Sequence, residues 1–233
     1  MEIVESCLSC DRRQGRLFCD VGTSALHQMD SIKHATVYPR GAILFVEGQK
    51  AAGVFVLCAG RVKLSTSSSD GKTIIMRIAE AGEVLGLSGA LSDRPYKATA
   101  ETLDPCQIGF IERQAFLRYL GNHPEICLRV AAHLSNNYRA TFEQVRSLGL
   151  SHTAAEKLAR MLLECSRTGE ERALDSYRLK FTLTHEEIAQ MIGTSRETVT
   201  RLFSEFKHKR IATMKGSTLL IHDRAALQKM ANC

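Results

Sequence analysis

Residues 182–211 read TLTHEEIAQMIGTSRETVTRLFSEFKHKRI, two short helices around a tight turn. Thr184 is an N-cap candidate, and Glu187 three residues on completes a capping-box pattern. Ile188, Ala189 and Ile192 give the first helix an apolar face. Gly193 suits the positive φ that ends a helix, and Ser195 can cap the second. Val199, Leu202 and Phe206 then point inward, which leaves Arg196, Glu197, Thr200 and Arg201 outward. This is the layout of a helix-turn-helix whose second helix enters the DNA major groove. Arginine can donate a bidentate pair to guanine, and glutamate can accept from cytosine N4.

The flanks extend the pattern. Lys207, Lys209 and Arg210 cluster after the second helix. Residues 211–221, IATMKGSTLLI, read as a hairpin turning at Lys215-Gly216, the wing of a winged helix. Residues 196–216 hold six basic and two acidic side chains, a local +4 against +6 for the whole chain. Charge localised in this way suits phosphate neutralisation, with Ser195 and Lys215 beside the base-reading side chains.

Upstream, residues 33–113 are strand-rich. Short runs at 42–46, 53–57, 61–65 and 73–78 alternate with glycine-bearing turns, the signature of a jelly roll or small barrel. From Pro124 to Leu148 the period becomes helical. Ile126, Val130, Leu134, Tyr138, Thr141, Val145 and Leu148 recur at three- and four-residue intervals, a seam for a symmetric dimer. A turn near Leu148–Ser151 reads as a hinge, and Ser151 to Cys165 as the first helix beyond it. The expected division is therefore a cysteine-bearing segment (1–24), a sensory β-roll (25–122), a dimerisation helix (123–149) and a winged helix-turn-helix (150–233).

Of the 233 residues, 44% are hydrophobic and 24% charged, ordinary for a globular protein. No apolar run is long enough to span a bilayer, and the N-terminus lacks a secretory core, so a cytoplasmic protein is expected. Eight cysteines in a reducing compartment point to metal, cofactor or redox chemistry, or to buried thiols. Cys58, Cys127 and Cys165 fall on apolar faces and read as small buried hydrophobes. Cys7, Cys10 and Cys19 cluster at the N-terminus. No nucleophile elbow, phosphate loop or metal-hydrolase motif is present, so an enzyme is not expected.

The roll segments GAILF and AGRVKL, the Gly82-Glu83 pair, Ala98-Thr-Ala-Glu101, the long helix and SRETVTR at 195–201 together resemble the CRP/FNR family of bacterial regulators over nearly the whole chain. The resemblance implies an α+β protein: a cyclic-nucleotide-binding-like β jelly roll, a long dimerisation helix and a C-terminal winged helix-turn-helix. It implies a homodimer on double-stranded DNA with palindromic half-sites read by Arg196, Glu197 and Arg201, with RNA polymerase as a further partner. Its nucleotide-binding members place a Gly-Glu pair at the ribose and an Arg-Ser pair at the cyclic phosphate. Here Gly82 and Glu83 are present, but Tyr96 and Lys97 stand at the clamp, with Arg94 two residues early. Lysine lacks the guanidinium fork and tyrosine the charge, so cyclic AMP is not expected to activate the chain. If an effector pocket exists, it comprises Gly82, Glu83, Arg94 and Lys97.

Cys106, in ETLDPCQI, resembles the oxygen-sensing branch's segment for a distant cluster ligand. With Cys7, Cys10 and Cys19 it implies a [4Fe–4S] cluster. The third cysteine follows a longer gap than that branch has. Zinc on four thiolates and a thiol–disulfide switch are the alternatives.

Overall fold

The computed structural model describes residues 6–150, 153–168, 172–173 and 176–231. They form two compact units divided between Thr141 and Phe142. The predicted α+β class holds.

The first unit opens with a looped cysteine segment and helix α1 (Thr23–Ile32). It continues through β1 (His34–Tyr38), β2 (Ile43–Phe45), β3 (Gly53–Ala59), β4 (Val62–Ser67), β5 (Thr73–Ala79), β6 (Val84–Leu85), helix α2 (Leu87–Ser92), β7 (Thr99–Thr102) and β8 (Cys106–Glu112). Helices α3 (Arg113–Asn122) and α4 (Pro124–Leu150) follow. The strands make two four-stranded sheets, ordered β1-β8-β3-β6 and β2-β7-β4-β5, with every pairing antiparallel. Both sheets send side chains into one core, including Phe45, Phe55, Leu57, Val62, Leu85, Ala100 and Ile108.

Because strand side chains alternate, the other face of the β1-β8-β3-β6 sheet presents Val54, Val56 and Ile111. These build a second core with Met29 of α1, Phe116 and Tyr119 of α3, and Ile126 and Val130 of α4. Phe18, from the cysteine segment, plugs into this second core. Its ring meets those of Phe116 and Tyr119 edge-on at 5.8 and 6.3 Å.

This second core corrects the reading of α4. Ile126 and Val130 pack on their own roll and are not free to form a seam. The outward apolar side chains are Leu128, Tyr138, Phe142 and Val145. With Ala131 and Ser135, also exposed, they fall at 128, 131, 135, 138, 142 and 145. That is the alternating three–four spacing of a heptad seam.

The second unit carries α5 (Ala154–Thr168), β9 (Arg172–Ala173), β10 (Ser176–Lys180), α6 (His185–Ile192), α7 (Arg196–His208), β11 (Ala212–Lys215), β12 (Thr218–Ile221) and α8 (Arg224–Ala231). Its sheet runs β11-β12-β10-β9. Helix α5 starts three residues later than expected, because Thr153 accepts the Glu156 N–H at 3.2 Å and so caps it. Helix α4 continues through Leu150; Ser151, the last residue of the expected hinge, lies outside the described residues. Cys233 does too.

Candidate nucleic-acid interface and sensor site

Local chemistry builds the helix-turn-helix as expected. The Thr184 hydroxyl accepts the Glu187 N–H, and the Glu187 carboxylate accepts the Thr184 N–H at 2.7 Å, closing a capping box. Gly193 ends α6 at φ 66°, a conformation that costs glycine nothing. Ser195 caps α7 by accepting the Thr198 N–H at 3.2 Å. Ile188, Ala189, Ile192, Val199, Leu202 and Phe206 are buried between the helices.

Arg196, Glu197, Thr200 and Arg201 are exposed on one side of α7, and Ser195 is exposed at its tip. Arg196 and Arg201 stand about 7.5 Å apart along the axis, roughly two base steps. The backbone N–H of Glu197 and the Ser195 hydroxyl hold the Glu197 carboxyl below its ordinary range. It therefore presents an acceptor, as cytosine N4 requires. Thr200 is held by His185, whose Nδ1 lies 2.9 Å from the Thr200 hydroxyl and whose ring stacks on Phe203 at 5.2 Å. His185 is thus a brace between α6 and α7. The wing is β11 and β12, with Lys215 exposed opposite Thr218 at its tip.

The residues of the expected effector pocket are placed as follows. Tyr96 is buried, stacked on Phe45 at 4.1 Å. Its hydroxyl donates to the Gly53 carbonyl at 2.8 Å. Glu83 is paired with Arg77 at 2.5 Å and accepts the Glu80 N–H at 2.7 Å. Gly82, at φ 104°, turns the chain beneath the stem of Arg16. Arg94 and Lys97 are both exposed. No guanidinium fork faces Glu83 from the clamp position, and an aromatic ring occupies that place in the sequence.

The cysteines do not group as the sequence suggested. Cys7, Cys10 and Cys19 line one pocket with Arg12, Arg16, Lys33, Gln107 and Cys58. Cys106 is not among them. It is fully buried between the two sheets, and its thiol donates to the Arg61 and Asp104 carbonyls at 3.3 and 3.2 Å. A Cβ on Gly60 would stand 2.5 Å from its sulfur, so Cys106 is a tightly packed core thiol. The reason is strand parity: on β8, Cys106 and Ile108 face the inter-sheet core while Gln107 faces the thiol pocket. One thiol read as a buried hydrophobe needs correction: Cys127 is exposed. Cys58 is half-buried against the outer core, as its apolar surroundings suggested, and also lines the pocket.

Hydrogen bonds fix the pocket. Asp30 accepts the Cys7 N–H and the Ser6 hydroxyl, each at 2.6 Å. Lys33 reaches Asp30 at 3.6 Å and the Cys7 sulfur at 2.8 Å, with its side chain only 3% exposed. Burial raises the thiol pKa values of Cys7 and Cys58, and pushes Cys19 up to about 12 with a further contribution from Cys7. As free thiols these groups keep their protons and are poor nucleophiles. Among the described residues, no three His, Cys, Asp or Glu side chains converge tightly enough to hold a metal ion as they stand.

Comparison with known proteins agrees with the architecture. Residues 35–123 match the cyclic nucleotide-binding domain and residues 156–230 the Crp-like helix-turn-helix domain. A CRP-like cAMP-activated global transcriptional regulator of Mycobacterium tuberculosis is 25% identical over 215 residues, covering 92% of this chain and 96% of the relative. FixK2 from Bradyrhizobium japonicum superposes with a TM-score of 0.74 at 21% identity, covering 85% of this chain and 97% of that one. The c-di-GMP responsive global regulator CLP of Xanthomonas campestris gives 0.76 at 17% identity, covering 87% and 100%. No described helix is long and apolar enough to cross a membrane. A nucleotide-binding-type roll, a long helix and a Crp-like winged helix-turn-helix in this order make the chain a member of the CRP/FNR family of DNA-binding transcription regulators.

Proposed function

We propose that a homodimer of this chain reads a palindrome with half-sites resembling TGTGA, and that its N-terminal cysteines make the regulator responsive to oxygen or redox state. The observation that carries the DNA reading is the exposed row of Arg196, Glu197, Thr200 and Arg201 on a capped, rigid α7. In the groove, Arg196 and Arg201 donate to guanines and Glu197 accepts from cytosine. Ser195, at the helix N-terminus, and Lys215, on the wing, hold phosphates and set the register. The exposed heptad seam on α4 supplies the two-fold symmetry that spaces half-sites about 34–36 Å apart. Bound there, the dimer acts on RNA polymerase in the cytoplasm.

Arg196→Ala or Arg201→Ala should each cost about 1–3 kcal/mol of specific binding and relax preference at one base pair. Selection from a randomised duplex pool measures this. An unchanged base preference in both variants would remove these side chains from the reading role.

The sensor reading rests on buried cysteines tethered beside the roll. Cys7, Cys10 and Cys19 supply the soft sulfur ligands an iron–sulfur cluster takes, and when bound such a cluster supplies one-electron and oxygen chemistry. Zinc on the same thiolates and a thiol–disulfide switch are the alternatives. Cyclic AMP in millimolar excess should leave specific DNA affinity unchanged, because Tyr96 sits where a phosphate clamp would and Glu83 is already paired. Saturable heat of cyclic AMP binding in a titration calorimeter would reverse this conclusion.

A further inference from the structure

We propose that Cys58, rather than Cys106, is the fourth thiolate of the N-terminal cysteine site, so that Cys7, Cys10, Cys19 and Cys58 form one tetrathiolate site for a soft metal centre. The proposal rests on the cysteine-sensor reading and fixes its ligand set.

The backbone of β3 directs Cys58 to the site. Leu57 pairs with Ile108 and Ala59 with Gln107, so the register slips at Cys58. Cys58 therefore lies at a β-bulge, where β3 leaves its regular pairing with β8. Val54 and Val56 face the outer core, and strand alternation puts Cys58 on the same side, packed against that core and lining the pocket of the cysteine segment. The Cys58 thiol donates to the Val56 carbonyl at 3.7 Å and lines the same pocket as Cys7, Cys10, Cys19 and Lys33.

The N-terminal segment is shaped to meet it. Arg16 donates to the Cys58 carbonyl at 2.9 Å, tying the loop to the bulge. The long interval between Cys10 and Cys19 folds back on itself. Gly15 donates to Asp20 at 3.0 Å, Arg16 to the Arg13 carbonyl at 3.2 Å, and Cys19 to the Arg16 carbonyl at 3.3 Å. The extra residues thus make a closed turn that returns Cys19 to the pocket beside Cys7 and Cys10.

The charge balance fits thiolates. Four deprotonated sulfurs on a metal centre leave net negative charge in a largely buried place, which needs nearby cations or hydrogen-bond donors to the sulfurs. Lys33 is buried against Cys7, and Arg12 and Arg16 line the same pocket. Lys33 reaches it by lying flat on β8, where a Cβ at Gly109 would approach its side chain to 2.5 Å. Each ligating thiol would release its proton to solvent as metal enters.

The test compares the full chain with Cys58→Ser and Cys106→Ala, purified without oxygen, then reconstituted with ferrous iron and sulfide or with zinc. Visible spectra, metal and sulfide analysis and a circular-dichroism melt are recorded for each. Cys58→Ser should lose the visible absorption and most of the bound metal while keeping a native spectrum, and folded Cys106→Ala should retain both. Retention by Cys58→Ser with loss by a folded Cys106→Ala would overturn the ligand set and leave the cluster reading standing. Zinc in the parent chain, lost only with Cys58, would support the ligand set and remove the cluster. No uptake of either metal by the parent chain would overturn both.

Discussion

Replacing Leu128 and Val145 together with glutamate should give a folded monomer that has lost about 10²- to 10⁴-fold of its affinity for a palindromic site. Their side chains are among the most exposed apolar groups on α4, at 76% and 57%, so the change removes little packing from either unit. In a dimer the same positions lie on the proposed seam, where the substitution brings carboxylates face to face across a low-dielectric interface. The affinity falls because each half-site is then bound alone rather than through one coupled event. Sedimentation measures the mass, and a titration on full and half sites measures the affinity. A dimer of unchanged affinity would show that the partner docks elsewhere.

Phe18→Ala has the next largest effect. The ring is 1% exposed and wedged against Phe116 and Tyr119. Emptying such a position costs about 3–5 kcal/mol, drawn from the unit that holds the roll. Denaturant titration should show its transition shifted down, with the winged unit unaffected. The neighbouring Cys19 should also become accessible to a thiol reagent in the native state. If Cys19 remained protected, Phe18 would not be what seats the cysteine segment.

These expectations draw on features of unequal legibility in the sequence. The helix-turn-helix could be read residue by residue, because capping boxes, glycine stops and helical periodicity are local effects. Thr184, Gly193 and Ser195 each act within four positions of themselves. Helix α4 was legible as a helix but not in its facing. Ile126 and Val130 share its apolar spacing with the outward residues, and only the position of the roll decides which stripe is covered. The Leu128 row could have been found by testing a strict heptad against the looser period.

The cysteines were the hardest to place. Whether Cys106 looks inward depends on parity along β8, and Cys58 looks outward by the same alternation along β3, within a run that is apolar on both faces. Neither leaves a mark on composition, and the surrounding ETLDPCQI suggested a ligand where the fold has built a core thiol. Tyr96 was informative in a different way. The sequence put a tyrosine where the resemblance expects a clamp, but did not show that its ring would stack on Phe45.

The Phe18 wedge has a consequence for the molecule's thermodynamics. Phe18, Tyr119, Ile126 and Val130 belong to one apolar cluster, so the cysteine loop and the root of the association helix lean on the same side chains. If metal loading at the loop strengthens self-association, then reciprocity requires self-association to strengthen metal retention by the same factor. Dilution below the dimer's dissociation constant would then release metal without any oxidant, and operator DNA, by holding two chains together, would protect it.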